Sequence, residues 1–211
     1  MKKALVIAID GPAASGKGTL AKKIAAHFGF SYLDTGKLYR AVALGILNAD
    51  DDPHNIAIAV KIAKTLAPEA LARVELGEER VGQAASIVAS IPEVRAVLLD
   101  FQRNFAKNKQ GAVLDGRDIG TVICPHADIK LFIHADVYTR AERRHKELQQ
   151  RGTDITYNTV LKELKERDTR DSTRDVAPMK TAADAVIIDT TLMDANQVFL
   201  HAKSLITGYM S

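Results

Sequence analysis

Short runs of apolar residues alternate along the chain with longer stretches in which apolar residues return every three or four positions. Five of the short runs have the length and composition of buried strands, and they cover residues 4–9, 31–34, 112–114, 129–133 and 185–188. The longer stretches have helical spacing, and they cover residues 20–28, 36–47, 56–63, 83–89, 93–106, 137–151, 156–167 and 195–206. Because strands and helices alternate, the pattern predicts an α/β protein with a parallel sheet and helices on both of its faces.

One segment interrupts this alternation. Residues 72–76 and 80–81 are separated by Gly77, Glu78 and Glu79, which predicts a small hairpin that two helices follow. We therefore interpret residues 66–107 as a small inserted domain. The core domain then consists of residues 1–65 and 108–211.

Composition narrows the class of protein. The chain has 211 residues, 46% of them apolar, a net charge of +3 and a single cysteine, Cys124. One cysteine excludes an internal disulfide and a cysteine metal cluster. The mild charge, without a long basic run, does not indicate nucleic-acid binding, and no apolar stretch has the length of a membrane span. We expect a soluble cytoplasmic protein, and a monomer because no feature marks a subunit interface.

The most informative motif lies between the first strand and the first helix. It consists of Gly11, Pro12, Ala13, Ala14, Ser15, Gly16, Lys17, Gly18 and Thr19. Glycine lets backbone N–H groups curl around an anion, and the helix N-terminus adds partial positive charge. An ordinary glycine-rich turn is the plainer interpretation. A strand before the motif and a helix after it are the context of a phosphate-binding P-loop, in which Lys17 reaches the outer phosphates of ATP.

The expected magnesium site departs from the usual P-loop pattern. Ser or Thr normally follows the lysine directly, whereas here Gly18 stands between Lys17 and Thr19. We therefore expect Mg²⁺ to be held largely through water, with Thr19 and Asp115 as its candidate residues. Asp115 ends an apolar strand, the position from which many P-loop proteins orient the hydrated ion, although Asp115 followed by Gly116 also suits a plain turn.

Further polar and charged residues follow two other predicted strands. Thr35 and Arg40 begin the helix after the second strand, where an anion can meet a hydroxyl, N–H groups and a guanidinium. Arg117 and Asp118 come directly after the third strand, which suits recognition of a polar ligand at the sheet edge. Each pair also has a plainer interpretation, as a helix cap or as a strand-end turn.

Three arginines in the carboxy-terminal third have the spacing of one helix face, and they are Arg167, Arg170 and Arg174. Asp168 and Asp171 are suited to pair with them, which is typical of a solvated, salt-bridged surface. Phosphoryl transfer, in contrast, needs cations that neutralise the moving group and a cover that excludes water. We therefore interpret residues 150–178 as an arginine-rich lid. Four arginines just before it are candidates to contribute to the lid, although most of them are expected at the surface, and these are Arg140, Arg143, Arg144 and Arg151.

With these motifs the chain resembles the bacterial cytidylate kinases over nearly its whole length. Five blocks carry the resemblance in the order and spacing of that family, at residues 11–19, 34–40, 85–95, 115–121 and 166–178. The resemblance implies a P-loop NTPase-type fold with an inserted domain that binds a nucleoside monophosphate and with a lid. It also implies transfer of the γ-phosphoryl group of ATP to CMP or dCMP with Mg²⁺.

The resemblance also implies roles for individual residues at matching positions. Those for the acceptor are Ser86, Arg95, Asp118 and Arg174 around the cytosine, Arg167 and Asp171 by the sugar, and Thr35, Arg40 and Arg117 by the phosphate. Those that stabilise charge during transfer are Lys17, Arg117, Arg167 and Arg170. The chemistry of the base agrees with this, because cytosine presents an amino donor beside two acceptors, which an aspartate and an arginine complement.

Two other classes of function remain open on the sequence alone. A kinase for UMP, AMP or a small metabolite such as shikimate would share the P-loop. A regulatory module that binds ATP without phosphorylating a small molecule would share it as well, because a motif match by itself carries a risk of error. Such a module has no need of an arginine-rich lid or of a second phosphate site.

Overall fold

A five-stranded parallel sheet forms the centre of the protein. The computed structural model describes residues 4–210, and residues 1–3 and 211 lie outside the described part. The strands are β1 (Val6–Asp10), β2 (Ser31–Asp34), β3 (Ala112–Gly116), β4 (Ile129–His134) and β5 (Val186–Asp189), in the spatial order β2-β3-β1-β4-β5. The predicted α/β class and parallel sheet are confirmed. Because β1 lies in the middle and is covered on both faces, it is apolar up to its last residue.

Helices cover both faces of this sheet, as predicted. They are α1 (Lys17–Phe28), α2 (Thr35–Asn48), α3 (Ile56–Lys64), α4 (Glu79–Val88), α5 (Pro92–Ala106), α6 (Val137–Gln150), α7 (Tyr157–Thr173) and α8 (Ala195–Met210). Among residues 4–210, no helix has the length and apolar composition needed to cross a membrane.

The central strand divides its side chains between the two faces. Ile7 and Ile9 pack in the core shared with α1 and α8. Ala8, between them, packs in the core on the opposite face, which also contains Cys124. This alternation is the period-2 geometry of a strand. The thiol of Cys124 is buried, and burial raises its pKa to about 11.

Helices α2 to α5 enclose a second hydrophobic core. Val42 of α2 packs there with Val81 and Val88 of α4, and α3 contributes Ala59. This core therefore includes helices that precede residue 66, where the predicted insertion begins. The division into two domains stays a prediction, and the packing favours an earlier start for the helical unit.

The hairpin predicted around Gly77 is wrong. Pro68–Ala72 and Val74–Gly77 form two short 3₁₀ turns, and α4 begins at Glu79 rather than at residue 83. Proline has a fixed φ that suits the first turn of a helical segment. Gly77 lacks the positive φ that tight hairpin turns require. The negative charge of Glu79 in the first turn of α4 complements the helix dipole.

Candidate active site

A cavity of about 1170 Å³ opens at the carboxyl ends of the strands. Ligands of open α/β sheets bind in the crevice at this edge. The P-loop, the start of α2, the turn after β3 and side chains of α4 to α7 line the cavity. It therefore brings together motifs that lie far apart in the sequence.

The P-loop between β1 and α1 has a backbone that few sequences can adopt. Gly11 has a φ of +148°, and a Cβ there would lie 2.1 Å from the carbonyl oxygen of Ile133. Ala14 and Gly16 follow with φ values of +58° and +89°. A side chain at position 11 would thus strike β4. Turns in which residues of positive φ stand among residues of negative φ direct successive N–H groups toward one point and bind anions there.

The side chain of Lys17 is buried against this loop. Its Nζ donates a hydrogen bond to the carbonyl oxygen of Pro12 at 3.0 Å, and 8% of the residue is exposed. Burial lowers the pKa of Lys17, and the positive charge of Arg117 lowers it further. A polyanion bound beside Lys17 would favour its charged form. The hydroxyl of Ser15 in the same loop is buried and has no hydrogen-bond partner among the described residues.

Arg140 of α6 connects the P-loop to α7. Its guanidinium donates to the carbonyl oxygen of Ala13 at 3.2 Å and to both carboxylate oxygens of Asp168, at 3.2 and 2.6 Å. Only 4% of Arg140 is exposed. Arg140 is therefore not one of the arginines at the surface, and Asp168 pairs with it rather than with an arginine of α7.

Asp115 lies near the end of β3 and lines the cavity. Its Oδ1 accepts a hydrogen bond from the Tyr32 hydroxyl at 2.7 Å. Burial and the neighbouring Asp34 raise the pKa of Asp115, while Lys17 opposes them. A Cβ at Gly18 would lie 3.8 Å from Oδ2 of Asp115, so this carboxylate faces the start of α1.

Of the two residues expected near magnesium, Thr19 and Asp115, the structure places only Asp115 at the cavity. Thr19 is exposed and does not line the cavity, whereas Asp34 and Asp115 both line it. Within residues 4–210, no group of three His, Cys, Asp or Glu side chains is arranged to hold a metal directly. Mg²⁺ usually keeps several waters and takes one or two carboxylates together with substrate phosphates. The carboxylates present therefore fit a hydrated ion, and the prediction for Thr19 receives no support from its position.

Two guanidiniums converge on α4 at Gly82. A Cβ there would lie 3.4 Å from Arg40 and 3.5 Å from Arg167. Arg40 also donates to the carbonyl oxygen of Leu76 at 2.6 Å, and burial lowers its pKa. The hydroxyl of Thr35 donates to the carbonyl oxygen of Asp115 at 2.8 Å, so this hydrogen bond joins the start of α2 to β3. Convergent guanidiniums are an arrangement that binds phosphate in many proteins.

A buried group of three charged residues centres on Asp118, two residues after the end of β3. We call it the Asp118 cluster, and it contains Arg95, Asp118 and Arg174. Oδ2 of Asp118 accepts a hydrogen bond from Arg95, and Oδ1 accepts one from Arg174 at 3.4 Å. Both guanidiniums also donate to the carbonyl oxygen of Ala89, at 3.2 and 3.3 Å. Burial raises the pKa of Asp118 while the two arginines oppose the shift. The ring of Tyr39 lies 5.6 Å from the Arg95 guanidinium.

Asp171 of α7 collects three predicted residues around one carboxylate. Its Oδ1 accepts from the Ser86 hydroxyl at 2.9 Å, and its Oδ2 accepts from Arg117 at 2.8 Å. Arg167 lies 3.9 Å from Oδ2. Burial alone would raise the pKa of Asp171, but Arg117, Arg167 and these hydrogen bonds lower it to about 2. The carboxylate is therefore ionised at neutral pH.

The three arginines predicted on one face of a helix separate in the structure. Arg167 lines the cavity, and its buried Nε has no hydrogen-bond partner among the described residues. Burial and Arg117 lower its pKa to about 10. Arg174 also lines the cavity, but it follows the end of α7 in extended backbone. Arg170 does not line the cavity, and its proposed role stays a prediction.

The structure shows a contact between α4 and α6 that the local sequence does not indicate. Oε2 of Glu79 accepts hydrogen bonds from Arg144 at 2.6 and 3.1 Å, and both residues line the cavity. Glu79 lies within the residues predicted to form a hairpin, and Arg144 is one of the four arginines of which most are expected at the surface. The hydroxyl of Tyr32 on Asp115 was missed as well, because nothing in the local sequence pairs β2 with β3.

Comparison with known proteins gives consistent matches over nearly the whole chain. A family model described as cytidylate kinase matches residues 7–207. A cytidylate kinase of Paramagnetospirillum magneticum is 55% identical over 204 residues, which cover 95% of this chain and 97% of the relative. One of Rhodospirillum rubrum is 52% identical over 206 residues, covering 96% and 97%. The crystal structure of an uncharacterized protein from Eubacterium ventriosum has a TM-score of 0.56 at 19% identity, covers 98% and 99% of the two chains, and supports the fold alone.

Proposed function

This chain belongs to the cytidylate kinase family, and we propose that it transfers the γ-phosphoryl group of ATP to CMP or dCMP. The observation that carries the proposal is one cavity lined both by Lys17 of the P-loop and by the Asp118 cluster. Lys17 and the P-loop suit the phosphates of a nucleoside triphosphate, and the Asp118 cluster suits a base with polar edges. A donor nucleotide and an acceptor nucleotide would then meet between them.

The Asp118 cluster is proposed to read the cytosine. The carboxylate of Asp118 accepts from the exocyclic amino group, and the arginine beside it donates to the ring acceptors. Uracil carries an oxygen where cytosine carries the amino group, so a carboxylate would face an acceptor. Burying such a mismatch leaves both groups without a partner and is costly. Ser86 is proposed to contact the base as well, and Asp171, which accepts a hydrogen bond from Ser86, is proposed to lie by the sugar.

The acceptor phosphate is proposed to bind where Arg40 and Arg167 converge at Gly82, with Arg117 nearby. A phosphate monoester has a second pKa near about 6 and is mostly dianionic at neutral pH. Its oxygen therefore attacks the γ-phosphorus without prior loss of a proton. The new P–O bond gives CDP or dCDP, and the bond to the bridging oxygen of ATP breaks with its electron pair leaving on ADP. The reaction needs no catalytic base.

Positioning and charge are the contribution of the protein. Lys17 and the N–H groups of the P-loop hold the outer phosphates, while Arg167 and Arg117 balance charge on the transferred group. Both arginines contact Asp171, which keeps them in place before substrates bind. Asp115 would hold Mg²⁺ through water, and the ion when bound neutralises charge on the donor phosphates.

An ADP-release assay with CMP, dCMP, UMP and AMP as acceptors tests this proposal. We expect CMP and dCMP to have the highest kcat/KM values, with UMP and AMP at least about tenfold lower because of the polar mismatch. A reaction without an acceptor gives the rate of ATP hydrolysis to be subtracted. Preference for UMP or AMP would overturn the base assignment. ATP binding without transfer to any of the four would favour a regulatory module.

For the assembly state and the location of the proposed enzyme, the support comes from the amino-acid sequence alone. We infer a cytoplasmic monomer. Light scattering after size exclusion should then give a mass near 22.9 kDa. A mass twice as large would contradict the monomer.

A further inference from the structure

Asp10 is a buried acid that the proposed mechanism leaves unused. It is the last residue of β1, directly before the P-loop, and 5% of it is exposed. Its Oδ1 accepts a hydrogen bond from the N–H of Ile119 at 2.8 Å, and its Oδ2 accepts one from the N–H of Gly120 at 2.8 Å. Both oxygens of one carboxylate are thus used by two consecutive backbone donors, which immediately follow Asp118.

Those two donors begin a short π-helical turn, Ile119–Ile123. Inside the turn, the carbonyl oxygen of Asp118 accepts from Val122 and Ile123 at 2.9 and 3.1 Å. The first N–H groups of any helical turn have no partner within it. A buried N–H group without a partner is costly, so an acceptor from elsewhere is required.

Asp118 stands at the N-cap of this turn, where an aspartate side chain ordinarily accepts from the first N–H groups. Here its side chain makes no capping hydrogen bond. It faces Arg95 and Arg174 instead. Asp10 supplies from β1 the cap that Asp118 would otherwise supply itself.

We propose that Asp10 is a positioning residue for recognition of the acceptor base, because it caps the turn after β3 and thereby leaves the Asp118 carboxylate free for the cavity. The inference rests on the proposed role of Asp118. In an Asp10→Asn variant, an NH₂ group would face one of the two N–H donors and leave it unsatisfied. Asp118 is the nearest acceptor in sequence, so it would turn toward the donors and away from the base.

The test compares kcat/KM for CMP and for UMP in Asp10→Asn. We expect the CMP-to-UMP ratio to fall about threefold to tenfold, the cost of one lost buried hydrogen bond. The KM for ATP should change by less than about twofold, because the hydrogen bonds of Lys17 and Arg140 to the P-loop do not involve Asp10. Loss of stability alone would lower the active fraction for both acceptors equally and leave this ratio unchanged.

Asp128→Asn is the matched control. Asp128 accepts from the N–H of Val6 at 2.9 Å, at the opposite end of β1. Its replacement removes the charge of another carboxylate that bonds a backbone N–H of the same strand, while the Asn oxygen still accepts from Val6. We expect an unchanged CMP-to-UMP ratio. A ratio lowered as much as in Asp10→Asn would overturn the inference.

Two further variants separate the possible failures. If Asp118→Asn lowers the ratio and Asp10→Asn does not, the inference on Asp10 is wrong and the proposed function stands. If Asp118→Asn leaves the ratio unchanged, the base is read elsewhere, and both the proposed role of Asp118 and the inference on Asp10 are wrong. If Asp10→Asn does not fold, Gly120→Ala decides. A Cβ there would lie 3.4 Å from Oδ2 of Asp10 and 3.1 Å from the Lys130 side chain, pressing on the same contact. We expect a ratio about twofold lower, and an unchanged ratio overturns the inference.

Discussion

The P-loop and the Asp118 cluster bind two parts of the same reaction by different means. The P-loop is one uninterrupted stretch of sequence, and its anion site consists largely of backbone groups. The Asp118 cluster takes Arg95 from α5, Asp118 from the turn after β3 and Arg174 from beyond α7. One region is specified by local conformation, and the other exists only when three distant segments have packed.

The two regions also differ in how their charges are balanced. Each charged group of the Asp118 cluster already has an opposite charge within the protein. Within the described residues, Lys17 donates only to a carbonyl oxygen and forms no salt bridge, although Asp115 and Asp34 lie near it together with Arg117 and Arg167. A site that awaits a polyanion leaves its lysine without an ion pair, whereas a site for a neutral base pairs its charges in advance. Substitutions should therefore affect catalysis in the first region and selectivity in the second.

Lys17→Ala should have the largest effect. It removes the one side-chain cation of the P-loop, and we expect kcat with CMP to fall at least about a hundredfold, with little change in melting temperature. Steady-state kinetics and a thermal melt measure the two quantities. Lys61→Ala, an exposed lysine outside the cavity, is the control and should keep its kcat. A Lys17 variant that retains most of its kcat would remove the distinction between the regions.

Asp118→Asn should produce a smaller effect of another kind. The amide no longer presents two acceptors to the base and to the arginines, so we expect the CMP-to-UMP ratio of kcat/KM to fall at least about tenfold. The KM for ATP should stay within about twofold. Asp100→Asn, which replaces an exposed aspartate of α5, controls for loss of a carboxylate. A rise in the KM for ATP as large as that for CMP would mean that the two regions are not separate.

Asp171→Asn should have the smallest effect, a change in how the free energy of unfolding depends on pH. Its pKa is lowered from 3.8 to about 2 in the folded protein. A lowered pKa contributes stability above the unfolded value, and this contribution is lost as the pH falls toward the folded value. The difference in unfolding free energy between the wild type and Asp171→Asn should narrow by about 1 kcal/mol between pH 5 and pH 3. Urea titrations at both pH values measure it, and a constant difference would contradict the ionised contact.

The contrast between a local motif and a cluster of distant residues also explains which features the sequence predicts. The strands and the P-loop follow from local patterns, because apolar runs and glycine positions act over a few residues. The hairpin prediction failed at Gly77, where a charged turn signal is also the start of a helix. The cap of Asp10 on Ile119 joins residues 109 positions apart, and the contact of Tyr32 with Asp115 joins residues 83 positions apart. Local patterns do not record which distant polar groups meet, so these partners require the folded structure.

The buried Cys124 has a practical consequence for following motion in this protein. It is the only cysteine in the chain, and its pKa is about 11. Alkylating reagents attack the thiolate, which such a thiol scarcely populates at neutral pH. A cysteine introduced at the surface would therefore take up a maleimide dye selectively, while the native residue stays in its core. Dyes placed on α4 and α7 would then report by energy transfer how far the two walls of the cavity separate during turnover.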